Sequence, residues 1–526
     1  MPRTHAIQLI AISVLLGGGI ARCHANHEET GYTRRIADLP NFTAADGSKL
    51  ERYSLSLPSL DAAGRTAFRA FIEGPPGTNR GVFHEDGNGG LRQVGRSGEL
   101  APGTDATFNR FVGASVSDSG HVAFLGHLSG TNVDASNDVG LWAENHQQQL
   151  KLVVRSGDPV PGLGGDVFFR PIASLDYFFN PRLLLYSLNR SGSVAFHSLL
   201  SGPGALDSND RAMFVQEPTG LRVVARRGDP APGFSDGAVF ATFLRDDQTF
   251  SINDLNEVAL LARIDGTSQY EGIFSEGSGG GLRLVARIGD VLPSINATLP
   301  GDGVDATNND VILTGRPGQL TVVAREGDVA SAIGPDTTFV DFTNPFRFRS
   351  PVVDSRGRVF FASGLHDPAV EEDNDWALWA FDEGQLSQLV KKGEAALGGG
   401  TFDYLHSGYR GSDGLQVNSH GQVAFMAYVT AFGRRHLRIY AQDLLGALQL
   451  IQSISTESND SLAFNQHSGG QDGWASSFND RGELAFYRSG EIFVSSRVAI
   501  PEPTAASLLA GGLLVVSASF RRTLRL

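Results

Sequence analysis

The hydrophobic residues of this chain are grouped in short runs, and each run ends at turn residues. The runs are about four to six residues long and rich in Val, Ala, Phe, Leu and Trp, with Gly, Pro, Asn and Asp between them. No stretch of the body keeps the roughly 3.6-residue period of an amphipathic helix. The pattern therefore predicts an all-β protein made of short strands.

One phrase recurs within this pattern, as in "LDAAGRTAF", "VSDSGHVAF", "LNRSGSVAF", "VNSHGQVAF" and "FNDRGELAF". Asn or Asp followed three residues later by Gly is typical of a tight turn, because the side chain bonds the backbone ahead and Gly accepts positive φ. The phrase therefore predicts a turn and the strand that follows it. Its opening residues are Asp61, Asn189, Asn253, Asp354, Asn418 and Asn479, and its glycines are Gly64, Gly120, Gly192, Gly357, Gly421 and Gly482, with Asn256 standing once in the glycine's place.

A second phrase, as in "LVVRSGDPVPG" and "VVARRGDPAPG", runs in phase with the first. Each unit of roughly 60 residues holds four short apolar runs, which suits a four-stranded antiparallel blade better than one coil of a β-helix. The tandem repeats therefore predict a β-propeller of about seven blades, with six or eight left open. The glycines of the second phrase are Gly98, Gly157, Gly228, Gly289, Gly327 and Gly393.

The repeat register breaks between Asn256 and Gly357, where the second phrase occurs twice and the first phrase is missing. We expect one unit in this interval to lack its opening strand. The last copy, which begins at Asn479, holds only the first strands of a unit. We expect the ring to close by pairing of the two ends of the body, with "KLERYSLSL" at residues 49–57 as the first strand.

The N-terminal residues 1–25 have the features of a secretory signal peptide. Arg3 precedes an apolar run from Ile7 to Ile20, and Ala25 suits the last position before cleavage. A lipoprotein signal with Cys23 acylated is the alternative, although Arg22 stands where a small residue is expected. Since Cys23 is the single cysteine of the chain, the predicted mature body has no disulfide, no Cys nucleophile and no Cys ligand.

The C-terminal residues 500–526 have a second recognisable order. Pro501, Glu502 and Pro503 precede an apolar stretch from Thr504 to Phe520, and Arg521, Arg522 and Arg525 follow it. The apolar stretch is close to the shortest helix that crosses a bilayer, and the arginines would stay on the cytoplasmic side. This order resembles the PEP-CTERM sorting signal of Gram-negative bacteria. The resemblance implies an exosortase as processing partner and export to the outer surface or extracellular matrix; an uncleaved membrane anchor is the alternative.

The body between these ends, residues 26–499, resembles a bacterial family described as choice-of-anchor tandem-repeat proteins containing NxxGxxAF. Two phrases that alternate in phase and the C-terminal label carry the resemblance, which covers about Leu57 to Ser495. The chain departs from the family pattern at Asn256, near residue 310, and at "LQLIQSIS". The family has no assigned enzymatic activity, so the resemblance implies an address and a repeat architecture. The first phrase is also similar to the Asp-box turn of sialidase propellers, which supports blade geometry alone.

Charge and motifs exclude several functional classes. The net charge of -14 and the lack of a basic stripe argue against a nucleic-acid partner. The chain has no H-E-x-x-H, G-x-S-x-G or P-loop motif, so we assign no catalytic residue and no cofactor. Enzymatic activity stays open, because loops of a propeller can assemble a site that sequence spacing does not reveal.

Short acidic loops are the candidate metal ligands. Oxygen ligands at this spacing suit Ca²⁺, but an Asx-rich hairpin turn explains the same residues without a metal. The candidates are Asp134, Asp138, Asp207, Asp210, Asp310, Asp373 and Asp375.

The tripeptide Arg227-Gly228-Asp229 spells an integrin-binding motif, but other copies of the phrase read "RSGD" and "RIGD", which indicates a turn. Trp142, Trp376 and Trp379 are interpreted as core residues and become candidate ligand contacts only if they are exposed.

Two functions follow from these observations. The first is a non-enzymatic protein of the cell surface or matrix that binds exopolysaccharide or protein partners through loops on one face. The second is a propeller-type glycan hydrolase or lyase, which needs carboxylates roughly 5 to 10 Å apart at one mouth of the central channel.

Overall fold

The computed structural model describes the body of the chain in segments that all belong to one unit, Tyr32–Leu526. The described residues are 33–36, 47–50, 58–74, 79–170, 186–234, 237–243, 250–268, 270–277, 280–292, 297–298, 310–316, 318–340, 342, 351–368, 375–405, 415–443, 445–458, 460–464 and 476–495. The predicted signal peptide and the predicted sorting signal lie outside these residues.

All regular structure in the described residues is β, as the hydrophobic pattern predicts. The strands are β1 (Thr33–Arg35), β2 (Ser59–Leu60), β3 (Thr66–Phe71), β4 (Arg80–Glu85), β5 (Leu91–Arg96), β6 (Thr107–Val116), β7 (Val122–Ser129), β8 (Val139–Glu144), β9 (Leu150–Arg155), β10 (Phe168–Phe169), β11 (Tyr186–Leu188), β12 (Val194–Ser201), β13 (Arg211–Glu217), β14 (Gly220–Arg226), β15 (Val239–Thr242), β16 (Phe250–Ile252), β17 (Val258–Asp265), β18 (Glu271–Glu276), β19 (Leu282–Arg287), β20 (Val291–Leu292), β21 (Ala297–Thr298), β22 (Val311–Arg316), β23 (Gln319–Arg325), β24 (Thr338–Val340), β25 (Val352–Val353), β26 (Val359–His366), β27 (Asp375–Asp382), β28 (Gln385–Lys391), β29 (Thr401–Leu405), β30 (Leu415–Val417), β31 (Val423–Ala431), β32 (Arg434–Gln442), β33 (Leu448–Ser455), β34 (Leu462–Ala463), β35 (Leu484–Arg488) and β36 (Glu491–Ser495).

These strands form a β-propeller with seven blades of four or five antiparallel strands within the described segments. The blades, in ring order, are the first (β2–β5), second (β6–β9), third (β10–β14), fourth (β15–β19), fifth (β24–β28), sixth (β29–β33) and seventh (β34–β36 with β1). Two consecutive short strands fill the first position of the third to sixth blades. The predicted all-β propeller of about seven blades is confirmed.

The incomplete unit expected from the register break is a two-stranded sheet, β22 paired with β23, between the fourth and fifth blades. Its buried residues Ile312, Val323 and Ala324 pack against the fifth blade, where they contact a cluster that contains Trp379. Within the described residues, the incomplete unit therefore consists of two strands whose buried side chains pack against the fifth blade.

Neighbouring blades are held together by apolar cores between their faces. The second strand of a blade is buried along most of its length, as in β7, β12 and β31, because it is covered on both sides. Seven such cores link consecutive sheets within the described residues. Trp142, Trp376 and Trp379 lie in them and are at most 2% exposed, which confirms their interpretation as core residues.

The second sequence phrase connects one blade to the next. In five copies its glycine donates its N–H to the carbonyl of a buried Phe in the next blade's first strand, at 2.7 to 2.9 Å. The Phe in turn donates its own N–H to the carbonyl of the residue after the glycine. The pairs are Gly98 with Phe108, Gly157 with Phe169, Gly228 with Phe240, Gly327 with Phe339, and Gly393 with Phe402. The tripeptide Arg227-Gly228-Asp229 lies in one of these connections, and Arg227 is paired with Asp210 at 3.0 Å.

The two ends of the body close the ring, but with a different first strand from the one expected. Thr33–Arg35 pairs antiparallel with Glu491–Ser495, and Arg35 forms an ion pair with Glu491 at 3.2 Å. The described part of "KLERYSLSL" instead bridges Leu50 to Ile72 in the first blade. The strand that pairs with β36 is therefore Thr33–Arg35, which is so short that it carries almost no hydrophobic pattern. Residues 51–57 of the expected closing strand lie outside the described residues.

No helix among the described residues is long and apolar enough to span a bilayer.

His197 in β12 predicts a pH dependence of stability. Its side chain is 1% exposed and neither ring nitrogen has a hydrogen-bond partner among the described residues. Burial and, to a smaller extent, the charge of Arg211 lower the pKa of His197 to about 3, against an opposing effect of Asp210. Because the folded-state pKa lies below the ordinary value of 6.5, the unfolded chain binds the proton more tightly, and stability falls as pH drops from about 6.5 toward 3.

We expect His197→Leu to remove this dependence, since Leu125 and Leu261 occupy the same position in the second and fourth blades. Between pH 7.5 and pH 5 the wild type should lose about 2 kcal/mol more unfolding free energy than the variant. Urea unfolding at both pH values measures the difference. Equal losses in the two proteins would show that His197 does not carry the effect.

Candidate functional site

The turn between the first and second strand of each blade is built by the first sequence phrase. The opening Asx side chain accepts backbone N–H groups ahead of it; Asp354 Oδ1, for example, accepts from Arg356 and Arg358, both at 2.9 Å. The glycine donates back to the opening carbonyl and has φ between 73° and 92° in the six copies that contain it. Asn256 adopts φ 61° in the seventh copy, so it keeps the turn in the glycine's place. In the second blade Ser117 fills the opening position and accepts from His121 N.

Most of these turns also contact the turn of the next blade. Of the four copies that open with Asn, Asn253 stands before the incomplete unit and donates its side-chain N–H to Glu257 of its own turn at 2.8 Å. In the other three copies the side-chain N–H of the opening Asn donates to the opening carbonyl of the following turn. The bonds are Asn189 to Asn253 O (3.1 Å), Asn418 to Asn479 O (2.9 Å) and, across the closure, Asn479 to Asp61 O (3.0 Å). Asn189 also donates to Asn256 Oδ1 at 2.8 Å, so the residue that departs from the repeat pattern supplies an acceptor of its own.

Where the opening residue is Asp, an arginine four residues later replaces the missing amide. Arg65 and Arg358 bond the Oδ2 of Asp61 and Asp354, each at 2.7 Å. Arg358 then donates to His420 O in the next turn at 2.7 Å. Sequence reasoning missed this pairing, although its signal is visible: the residue after the turn glycine is Arg in the two copies that open with Asp.

The turn glycines are needed for close approach as well as for positive φ. A Cβ added at Gly421 would collide with the Arg358 guanidinium, and one at Gly64 with the Glu483 carboxylate. Gly357, which follows the incomplete unit, has nothing within 4 Å of such an atom. The crowding is therefore produced by the preceding turn, and the turns form a connected ring that is interrupted beside the incomplete unit in the described residues.

Four second-position residues of these turns converge at one end of the ring, and we call this group the turn mouth: Asp118, Arg190, Asp254 and Asp480. Arg190 Nε is 3.1 Å from Asp118 Oδ2 and 3.9 Å from Asp254 Oδ2, and Nη2 is 3.6 Å from Asp480 Oδ2. The contact with Asp480 joins the third blade to the seventh, although the first and second blades stand between them along the ring. The four side chains are 34 to 47% exposed, so each is partly buried and partly open to solvent.

The electrostatics of the turn mouth are dominated by its three carboxylates. Burial raises the pKa of Asp118 above its ordinary value, Arg190 opposes that rise, and the charges of Asp480 and Asp254 add to it. Backbone groups fix the positions of the charges: Asp254 Oδ1 accepts from Arg190 N at 3.0 Å, and Asp480 Oδ1 accepts from Ser419 N at 2.7 Å. One cation therefore serves three anions, and the mouth is a set of fixed hydrogen-bonding groups with a net negative charge.

The turn mouth has the carboxylate separation that glycan cleavage needs, but it does not leave space for the scissile bond. The oxygens of Asp118 and Asp254 are at most about 7 Å apart because both lie within 4 Å of Arg190 Nε, a separation found in catalytic carboxyl pairs. However, the guanidinium itself lies between the carboxylates, where a scissile bond would have to lie. The arrangement suits holding a ligand better than cleaving one.

Other buried carboxylates serve the fold. Glu144 accepts the N–H of Val122, which begins the second strand of its blade, and pairs with Arg92 of the preceding blade. Glu276 does the same with Val258 and with Arg222 of the preceding blade. Each carboxylate therefore ties a strand start to a neighbouring blade, and none of its oxygens is left for chemistry.

The acidic loops do not gather into a metal site in the part of the chain that the structure describes, where no group of three His, Cys, Asp or Glu residues is placed to hold a metal. Asp134 accepts from Ser136 within an Asx turn, and Asp210 pairs with Arg211 and Arg227. Burial raises the pKa of Asp138. Asp373 and the side chain of Asp375 lie outside the described residues. Asp207 and Asp310 belong to no group of metal ligands in the part of the chain that is described.

The fold defines the chain as a β-propeller whose candidate site is the turn mouth. Comparison with family models then identifies the chain as a member of DUF7453, a family of unknown function, whose model matches twice, at residues 33–299 and 293–507. The two matches overlap at residues 293–299, just before the incomplete unit. No curated protein matches the chain.

Solved structures resemble the chain only distantly. Puromycin hydrolase is 12% identical over 77% of this chain and 55% of its own, with a TM-score of 0.33. An ancestral GH74 enzyme is 11% identical over 90% of this chain and 52% of its own, with a TM-score of 0.34. The polysaccharide lyase Uly1 is 8% identical over 86% and 91%, with a TM-score of 0.33. The chain spans about half the length of the first two of these structures.

Replacing Arg190 should expose the repulsion within the turn mouth. In Arg190→Met the three carboxylates face one another without a cation, so we expect a loss of about 1 kcal/mol at pH 8. Because the pKa of Asp118 is already raised, its protonation favours the folded state, and the loss should shrink as pH falls toward 5. Denaturant unfolding at both pH values tests this. Arg190→Lys is the control that keeps the charge, and a loss in Arg190→Met that does not change with pH would contradict the account.

Proposed function

We propose that this protein is an exported, non-enzymatic glycan-binding propeller of the cell surface or extracellular matrix, and that the turn mouth is its ligand site. The convergence of Asp118, Arg190, Asp254 and Asp480 from four blades carries the proposal. Carboxylates accept two hydroxyl hydrogen bonds each and a guanidinium donates several, so this group suits neighbouring hydroxyls of a sugar. The geometry favours a hydroxyl-rich ligand without strong negative charge, since the mouth itself is negative.

The raised pKa of Asp118 favours one alternative, a glycan-cleaving enzyme with Asp118 as general acid. In that case Arg190 must withdraw from between the carboxylates when substrate binds. Asp118→Asn separates the two functions. It should abolish turnover of a polysaccharide if Asp118 is the acid, whereas a binding protein shows no release of reducing ends with either form.

Binding to exopolysaccharide tests the proposal directly. Purified mature protein should be retained on immobilised exopolysaccharide, and Asp254→Asn and Asp480→Asn should each weaken retention about tenfold, because each removes a charge-assisted hydrogen bond. Asp134→Asn is the matched control: Asp134 is exposed and lies in an Asx turn that Asn also forms. Equal retention of all variants would exclude the turn mouth as the site.

The proposed location is supported by residues at the two ends of the chain. The signal-like order of residues 1–25 supports export, and Pro501-Glu502-Pro503 before an apolar stretch and terminal arginines supports sorting by an exosortase. The C-terminal helix would then hold the chain in the membrane until processing. The absence of cysteine downstream of Cys23 is compatible with a body that is stable outside the cell by packing alone.

Mass spectrometry of the C-terminus tests the sorting proposal. We expect the mature protein to end near Pro501–Pro503 when an exosortase is present. Replacing Pro501, Glu502 and Pro503 together by Ala should leave the chain uncut and associated with membranes. An intact C-terminus at Leu526 in the wild type would instead favour an uncleaved anchor.

A further inference from the structure

An aromatic side chain stands exposed at the opposite end of the blades from the turn mouth. Phe432 lies at the tip of the hairpin between β31 and β32 and is 91% exposed. Strands of a blade alternate in direction, so this hairpin between the second and third strands emerges on the face opposite the turns between the first and second strands. Phe432 therefore belongs to a surface that the proposed glycan site does not include.

The backbone at Phe432 makes this residue an unfavourable choice for the fold. Phe432 and Gly433 have φ of 53° and 73°, the pair of positive values that a two-residue type I′ turn requires. Glu383-Gly384 and Ser489-Gly490 form hairpin turns with the same signs, and both place a polar residue first. An aromatic residue with positive φ costs energy that Asn would not, so the ring at this tip is retained against its conformational preference.

Hydrogen bonds fix the loop of residues 397–399, which lies near the ring. Arg438 is 4% exposed and donates to the carbonyls of Leu397, Gly399 and Gly398, at 3.2, 2.8 and 3.4 Å. The hydroxyl of Tyr440 also donates to Leu397 O, at 3.2 Å. The edge of the Phe432 ring comes near Gly399, where an added Cβ would stand 3.8 Å from Cζ, an ordinary contact distance. Leu397, whose carbonyl accepts from Arg438 and Tyr440, is 46% exposed.

Paired charges surround this surface. Arg435 lies over the rings of Tyr404 and Tyr428, at 5.3 and 5.7 Å, and is fixed by Asp403 at 2.7 Å. Arg434 pairs with Glu457 at 3.1 Å. Each cation therefore has an anion, and the rim offers hydrogen-bonding groups without a net charge.

We propose that Phe432 and Leu397, with the Gly398–Gly400 backbone beneath them, form a second ligand surface that binds a neutral polysaccharide chain by stacking a sugar ring on Phe432. The C–H face of a sugar is apolar and packs on an aromatic ring by burial and dispersion. The exposed apolar area is on the order of 250 Å², enough for one or two sugar rings and well below the roughly 800 Å² per partner of a stable protein interface. The balanced charges of the rim favour a neutral chain over a uronate.

A second surface on the opposite face has a consequence for the matrix. A protein that holds one glycan strand at the turn mouth and another at Phe432 links the two strands, and linked weak sites give avidity. This surface does not depend on the turn mouth, so either site can fail in experiment without the other.

Phe432→Asn tests the surface without the risk of unfolding. Because Asn suits the positive φ, the melting temperature of the variant should not fall and should rise by about 1 °C. Retention of the mature chain on microcrystalline cellulose and on chitin should fall about tenfold. Phe432→Trp should keep retention because it restores a ring. Ser489→Asn, at the first position of an equivalent turn, should change neither property.

Either of two results would overturn the proposal: the wild type binds neither polymer, or Phe432→Asn keeps its retention on both. If Phe432→Asn keeps its retention but alters the sedimentation of the protein, the surface is a contact between two copies. If only the turn-mouth variants lose retention, the first proposed site is supported and this one is excluded.

Discussion

The contact between neighbouring turns is the interaction on which the ring depends. Each turn must keep its own Asx cap and also offer a donor to the next turn, and the chain meets this requirement in two ways. Asn supplies both from one side chain, as Asn479 does toward Asp61 across the closure. Asp supplies only acceptors, so in the fifth blade Arg358 provides the donor, and in the first blade the backbone N–H of Ala62 donates to Asp118 O at 3.3 Å. The glycine follows from the same constraint, because the preceding turn occupies the space of its side chain.

The same constraint creates the candidate site. A turn that points toward the axis must present its second residue there, whatever that residue is. In three turns this residue is small, as Ala62, Ser355 and Ser419 are, whereas Arg190 meets Asp118, Asp254 and Asp480 from three other blades. The scaffold therefore sets the positions and the variable second residues set the chemistry. This separation explains how a repeat with a structural purpose also carries a binding surface.

The fold was predictable because its information is local and repeated. Runs of short strands, a turn with Asx and Gly, and a fixed unit length are all visible along the chain, and the incomplete unit appeared as a break in register. The turn mouth was not predictable, since Arg190 and Asp480 are brought together only by the number of blades and by closure of the ring. The closing strand Thr33–Arg35 was missed because three residues leave no periodic pattern. Phe432-Gly433 did leave a signal, as a two-residue turn between two long strands, but its exposure depends on the loop that Arg438 supports.

The departures from the repeat are therefore more informative than the repeat itself. Asn256 stands where the other copies of the turn have glycine. The structure compensates for this change, because the Asn256 side chain accepts a hydrogen bond from Asn189 and Asn tolerates the positive φ of this position. Phe432 departs from the polar residues of the other two turns with the same φ signs, and burial does not compensate the change, since the ring is 91% exposed. A compensated departure costs the fold nothing and needs no function to explain it. An uncompensated departure lowers the stability of the fold. For Phe432, a ligand that covers the ring is the physical explanation that the geometry supplies.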